Sequence, residues 1–88
     1  MPQERPLPHS DEVLDTLGLY CPVPVWEAAK RIRELKVGQV LEVLSDDEGI
    51  IEDMPTWCSR TGHEFLGIAR DGDQLHVFVR KREAQSAR

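Results

Sequence analysis

The stretch Leu14-Asp15-Thr16-Leu17-Gly18-Leu19-Tyr20-Cys21-Pro22-Val23-Pro24 decides how the chain reads. Val13 to Leu19 alternates imperfectly and stops at a glycine, which predicts a short strand. Cys21-Pro22-Val23-Pro24 then breaks the chain. Val25, Ala28, Ala29, Ile32 and Leu35 follow at helical spacing, with Gly38 as the stop. Pro24 suits the first turn, where its missing N–H loses nothing. The stretch therefore carries a cysteine from a strand end into a helix start.

Working outward, Gln39 to Ser45 is rich in apolar and β-branched residues and predicts a second strand. Asp46-Asp47 offers an N-cap for a second helix, with Ile50, Met54, Trp57, Cys58 and Thr61 on one face and Gly62 as its end. Pro55 falls inside that pattern and predicts a kink or a late start. His63 to Arg70 is a third strand, Asp71-Gly72-Asp73 a hairpin turn, and Gln74 to Lys81 a fourth strand. On the fourth, Leu75, Val77 and Val79 share one face and His76, Phe78 and Arg80 the other. The order β-α-β-α-β-β predicts an α/β (α+β) two-layer sandwich, with two helices on one face of a four-stranded mixed sheet. The first two strands should be parallel and the last two an antiparallel hairpin. Residues 1–10 hold three prolines without periodicity and read as a flexible tail, 11–82 as the single domain, and 83–88 as a second tail.

The chain has 88 residues, 11 basic against 16 acidic, for a net charge of −5. An acidic chain is a poor direct nucleic-acid binder. No apolar run approaches the roughly 20 residues of a membrane span, and no signal peptide opens the chain. The expectation is a cytoplasmic monomer. The basic clusters Lys30-Arg31-Arg33 and Arg80-Lys81-Arg82 read as solvated faces or as a docking patch for an acidic partner. Two cysteines are too few for a disulfide framework.

A helix N-terminus carries partial positive charge and unsatisfied N–H groups, which stabilise a thiolate or a persulfide anion. Cys21 is therefore the candidate nucleophile, on a loop stiffened by Pro22, which favours an extended Cys21, and by Pro24. Position alone also allows a small apolar residue at a strand end. Cys58 shares the helical face that packs on the sheet and reads as a buried thiol. The alternative is a resolving partner for Cys21, which needs the two Cα atoms within about 7 Å. Trp26 lies one helical step off the apolar face and reads either as rim packing or as an anchor for a partner. Lys30, four residues on, reads as a solvated lysine or as a steering charge. His9, His63 and His76 show no tight ligand spacing with the cysteines, so no metal is assigned. Asp46-Asp47 reads as capping and turn chemistry.

The quoted stretch resembles the signature of the TusA-like (SirA-like) sulfur-carrier family, which has a Cys-Pro-x-Pro motif at the start of its first helix. Gly38, Ser45-Asp46-Asp47 and Asp53-Met54-Pro55-Thr56-Trp57-Cys58 are similar to further family segments, and the likeness runs from Val13 to about Arg82. The resemblance implies a sulfurtransferase acting as a carrier, without a conventional triad and without a cofactor. Cys21 would take sulfane sulfur as a persulfide from a cysteine desulfurase or rhodanese-like donor. It would relay that sulfur to an acceptor protein serving tRNA 2-thiolation, molybdenum-cofactor assembly or sulfur oxidation. Tyr20 and Glu52 stand where family members often carry basic residues, which changes the docking side rather than the chemistry. Two other readings compete. One is a thiol-redox protein or regulator cycling a Cys21–Cys58 disulfide. The other is an interaction module that binds through the Cys21 loop and Trp26.

Overall fold

The computed structural model describes residues 9–83, so most of both expected tails lies outside the described residues. The elements are β1 (Glu12–Asp15), α1 (Val23–Ile32), β2 (Val40–Ser45), α2 (Ile50–Thr61), β3 (Glu64–Asp71) and β4 (Gln74–Arg80). They form the expected α+β sandwich around one sheet of order β1-β2-β4-β3. β1 runs parallel to β2, with Leu14 opposite Val43. β4 is antiparallel to both β2 and β3, with Val43 opposite Val77 and Ile68 opposite Val77.

One side of every element feeds a single core. Leu14, Leu41, Val43, Leu75, Val77 and Val79 come from the sheet, and Val25, Ala28, Ile32, Ile50, Met54 and Cys58 from the helices. The strand residues recur at period two and the helical ones at three and four, so both layers turn a continuous apolar face inward. Each of the larger chains contributes about 1.5–3 kcal/mol by leaving water. The other face of β4 carries His76, Phe78 and Arg80, as the alternation requires. It is not simply polar. Phe78 is buried there, and His76 Nδ1 lies 2.6 Å from Glu42 Oε2 across the β2–β4 pair. Ser10 donates to the second oxygen of Glu42 at 2.8 Å.

Several boundaries differ from the sequence reading, each for a local reason. β1 ends at Asp15, four residues early, because the Asp15 carboxylate accepts the Leu17 N–H at 2.9 Å and Gly18 turns the chain at φ 86°. α1 begins at Val23, with Pro24 in its first turn, and gives way after Ile32 to tighter turns that deliver Leu35 to the core. α2 starts at Ile50, ahead of Pro55, so there is no late start. Its N-cap is Gly49 rather than an aspartate. Gly62 closes it with φ 91°, its N–H donating to the Cys58 carbonyl at 2.8 Å. In the β3–β4 hairpin, Gly72 has φ 62° and Asp73 does not share the positive sign, the pattern of a type II′ turn.

Both basic clusters are largely absorbed by the fold. Arg31 pairs with Glu12 at 3.1 Å, Lys30 with Glu27 at 3.5 Å, and Arg80 with Glu64 at 2.8 Å. Lys81 donates to the Leu35 carbonyl at 2.7 Å, in the turns that follow α1. Within these clusters, Arg33 and Lys81 have no ion pair among the described residues.

Candidate functional site

Cys21 is half-buried in the loop between β1 and α1. Two helices begin beside it. Pro22 is the N-cap of α1, and its carbonyl accepts the Val25 and Trp26 N–H groups at 3.1 Å each. Gly49, the N-cap of α2, lies so close that a Cβ there would sit 3.4 Å from the Cys21 sulfur. Cys21 thus precedes the first turn of α1 in sequence and lies against the N-cap of α2 in space. The Cys21–Pro22 peptide is cis.

The loop between β2 and α2 holds the cysteine loop in place. Asp47 accepts the Cys21 N–H at 2.7 Å through one oxygen and the Gly49 N–H at 3.0 Å through the other. Those two N–H donors hold the Asp47 carboxyl below its usual range. Asp46 accepts the Gly18 N–H at 3.1 Å, and Ser45 Oγ accepts the Asp47 N–H at 3.0 Å. The aspartate pair thus does turn chemistry, as expected. Its targets are the neighbouring loop and the N–H of Gly49, so the pair supports the N-cap residue rather than serving as it.

The thiol is not poised as the helix argument predicts. Desolvation, then a hydrogen bond to Asp53 and the charges of Asp47 and Asp53, push Cys21 from an ordinary 9.0 up to about 12. Two helix ends favour the thiolate, but a half-buried site flanked by two carboxylates favours the thiol more.

The other expected residues fall in different places. Trp26 is 61% exposed and faces a groove, which makes it a rim rather than a core residue. The groove runs between α1 and α2 from Pro22 and holds about 370 Å³. Val25 and Trp26 line it from α1, and Asp53, Thr56, Trp57 and Arg60 from α2. Lys30 lies outside the groove, paired with Glu27. Cys58 is 2% exposed, and burial pushes its thiol up to about 12. It stands nine residues beyond Gly49 on α2, a rise of about 13.5 Å. Both cysteines are free thiols. Among the described residues, no three His, Cys, Asp or Glu side chains gather as a metal site, and no helix is long and apolar enough to cross a membrane.

Sequence reasoning places Asp53 and Trp57 only in a family-like segment and on a helix face, and gives Gly49 no role beside Cys21. Asp53, Thr56, Trp57 and Arg60 do fall at i, i+3, i+4 and i+7, and that spacing was the available signal.

Comparison with known proteins agrees with this architecture. The sequence model of the family described as Sulfurtransferase TusA matches residues 12–81. The Bacillus subtilis protein YrkF is 45% identical over 69 residues, which are 78% of this chain; the chain spans only 37% of the length of YrkF. The sulfur carrier protein TusA of Pseudomonas entomophila is 39% identical over 72 residues, covering 82% of this chain and 90% of that protein. The crystal structure of a SirA-like protein from Desulfitobacterium hafniense superposes with a TM-score of 0.71 at 27% identity, over 82% of this chain and 99% of that one. With the family model spanning both helices and all four strands, the chain belongs to the TusA sulfurtransferase family of sulfur carriers.

Proposed function

We propose that Cys21 carries sulfane sulfur as a persulfide between two proteins in the cytoplasm. The observation that supports this reading is that the one cysteine reaching the surface sits directly before α1 and against the N-cap of α2. A persulfide anion on Cys21 would place its charge beside both. Loading is a thiol exchange. The Cys21 sulfur attacks the outer sulfur of a donor persulfide, the sulfur–sulfur bond of the donor breaks, and the donor sulfur leaves with the electron pair. The proton released from Cys21 ends on that leaving thiolate. Unloading repeats the step with an acceptor thiol attacking the outer sulfur of Cys21. No oxidant and no metal enters either step.

A cysteine desulfurase or a rhodanese-like protein is the donor class. The acceptor serves tRNA 2-thiolation, molybdenum-cofactor assembly or sulfur oxidation. Pro22 and Pro24 stiffen the loop, so little conformational entropy is lost when a partner docks on it. The redox reading has less support, since Cys58 is buried in the core.

Intact mass spectrometry tests the proposal. The reduced chain is exposed to a desulfurase with cysteine, or to a rhodanese with thiosulfate. One added sulfur atom, removed by a reductant, present in Cys58→Ser and absent in Cys21→Ser, is the expected result. No added sulfur from either donor overturns it.

A further inference from the structure

The groove beside Cys21 has a polarity that the exchange chemistry does not require. Its apolar walls come from Trp26 and Trp57, and its two ends carry opposite charges, Asp53 near Cys21 and Arg60 away from it. Asp53 faces the thiol itself. Arg60 is exposed and, like Arg33, Lys36 and Lys81, has no ion pair among the described residues; of these four it alone lines this groove. Asp53 likewise lacks an ion pair among the described residues, so its charge is uncompensated although its carboxylate also faces the Cys21 thiol. Tryptophan and arginine are the side chains most enriched at binding hot spots, and here they share one groove.

The spacing sets the shape of the occupant. Asp53 and Arg60 are seven helical residues apart, a rise of about 10.5 Å. A polyproline-II-like extended segment advances about 3.1 Å per residue and returns every third side chain to the same face, so that span is about three residues of such a segment. We infer that the α1–α2 groove docks an extended segment of a thiol-bearing partner protein, with a basic side chain next to its reactive cysteine against Asp53 and an acidic side chain about three residues away against Arg60. The inference rests on the sulfur-relay reading for the partner's thiol, and on the groove alone for the pattern of charge. A cation brought against Asp53 also offsets one of the two carboxylates that disfavour the Cys21 thiolate, so docking and activation would coincide.

The test uses the isotope-labelled full chain carrying Cys21→Ser, titrated by NMR with short synthetic peptides in which serine replaces the reactive cysteine. The complementary peptides are Ser-Lys-Leu-Leu-Glu and its reversed sequence Glu-Leu-Leu-Lys-Ser. The charge-inverted peptides are Ser-Glu-Leu-Leu-Lys and its reverse. A complementary peptide should bind at least about fivefold more tightly than either inverted one, with shifts confined to α1 and α2 amides around Trp26 and Trp57. Arg60→Glu, a change at an exposed helix position, should abolish that preference, and Trp26→Ala should weaken the complementary peptide. Equal binding of all four peptides, shifts scattered over other faces, or a preference untouched by Arg60→Glu would each overturn the inference. No sulfur is transferred in this measurement, so its failure is separate from a failure of Cys21 to load.

Discussion

The carboxylate of Asp47 accepts the backbone N–H of Cys21 at 2.7 Å across 26 residues of sequence. That contact ties the β1–α1 loop to the β2–α2 loop and fixes the cysteine where both helices begin. Its second oxygen holds Gly49, so a single side chain sets the distance between the sulfur and the start of α2. The arrangement holds the sulfur firmly while raising the energy of its thiolate.

The thiol should become more acidic when that charge is removed. Asp53→Asn takes away the first carboxylate cause of the upward shift, after desolvation. The Cys21 pKa should fall from about 12 toward, but not below, the ordinary 9.0, since burial persists. Each unit of the fall multiplies the thiolate fraction at fixed pH about tenfold. Ultraviolet titration of the thiolate, in a Cys58→Ala background, reads it. An unchanged or higher pKa would contradict the account.

Asp47 predicts a pH limit for the loop. Its pKa is depressed in the folded chain, so its contribution is present above the unfolded value near 3.8 and is lost as pH falls through the lower folded value. Hydrogen exchange of the Cys21 and Gly49 amides should accelerate, relative to other loop amides, only in that acidic window. Asp47→Ala should show the same acceleration at neutral pH.

Gly49 sets the room around the sulfur. Its backbone is helical, with φ −60°, and a Cβ there would meet Cys21 at an ordinary 3.4 Å contact. Gly49→Ala should therefore fold and be stabilised by up to about 1 kcal/mol through the unfolded state. Gly49→Val adds branches against the sulfur and should slow alkylation of Cys21 by iodoacetamide several-fold. Equal rates in all three proteins would mean that the sulfur is reached from another side.

Met54 sits fully buried where α2 meets the sheet. Met54→Ala should cost about 2–5 kcal/mol in urea unfolding. Against the roughly 5–15 kcal/mol of a small domain, that is a large share. A cost under about 1 kcal/mol would mean that the helices pack less closely than the core cluster indicates.

Much of the fold was legible because periodicity survives in so short a chain. The alternation of Leu75, Val77 and Val79 and the helical spacing of Ile50, Met54 and Cys58 each marked a true core face. Cys21 stood out through its two prolines. Its electrostatics did not, because they depend on Asp47 and Asp53, which only the folded loops bring to the sulfur. The early end of β1 was hidden for a similar reason: the Asp15 side chain competes locally for a backbone N–H that a strand would use. Arg31 and Arg80 read as surface charge, yet their partners Glu12 and Glu64 lie on strands that sequence order alone does not set beside them.

The most direct measurement of the central claim is a load-and-release experiment with radioactive sulfane sulfur. The chain is loaded by a rhodanese and labelled thiosulfate, freed of donor, and mixed with a thiol-bearing acceptor protein. The account predicts one labelled sulfur per chain on Cys21, transferred to the acceptor with the Cys21 thiol regenerated, in wild type and Cys58→Ser alike. Label that fails to leave Cys21, or that loads and transfers equally well in Cys21→Ser, would contradict it.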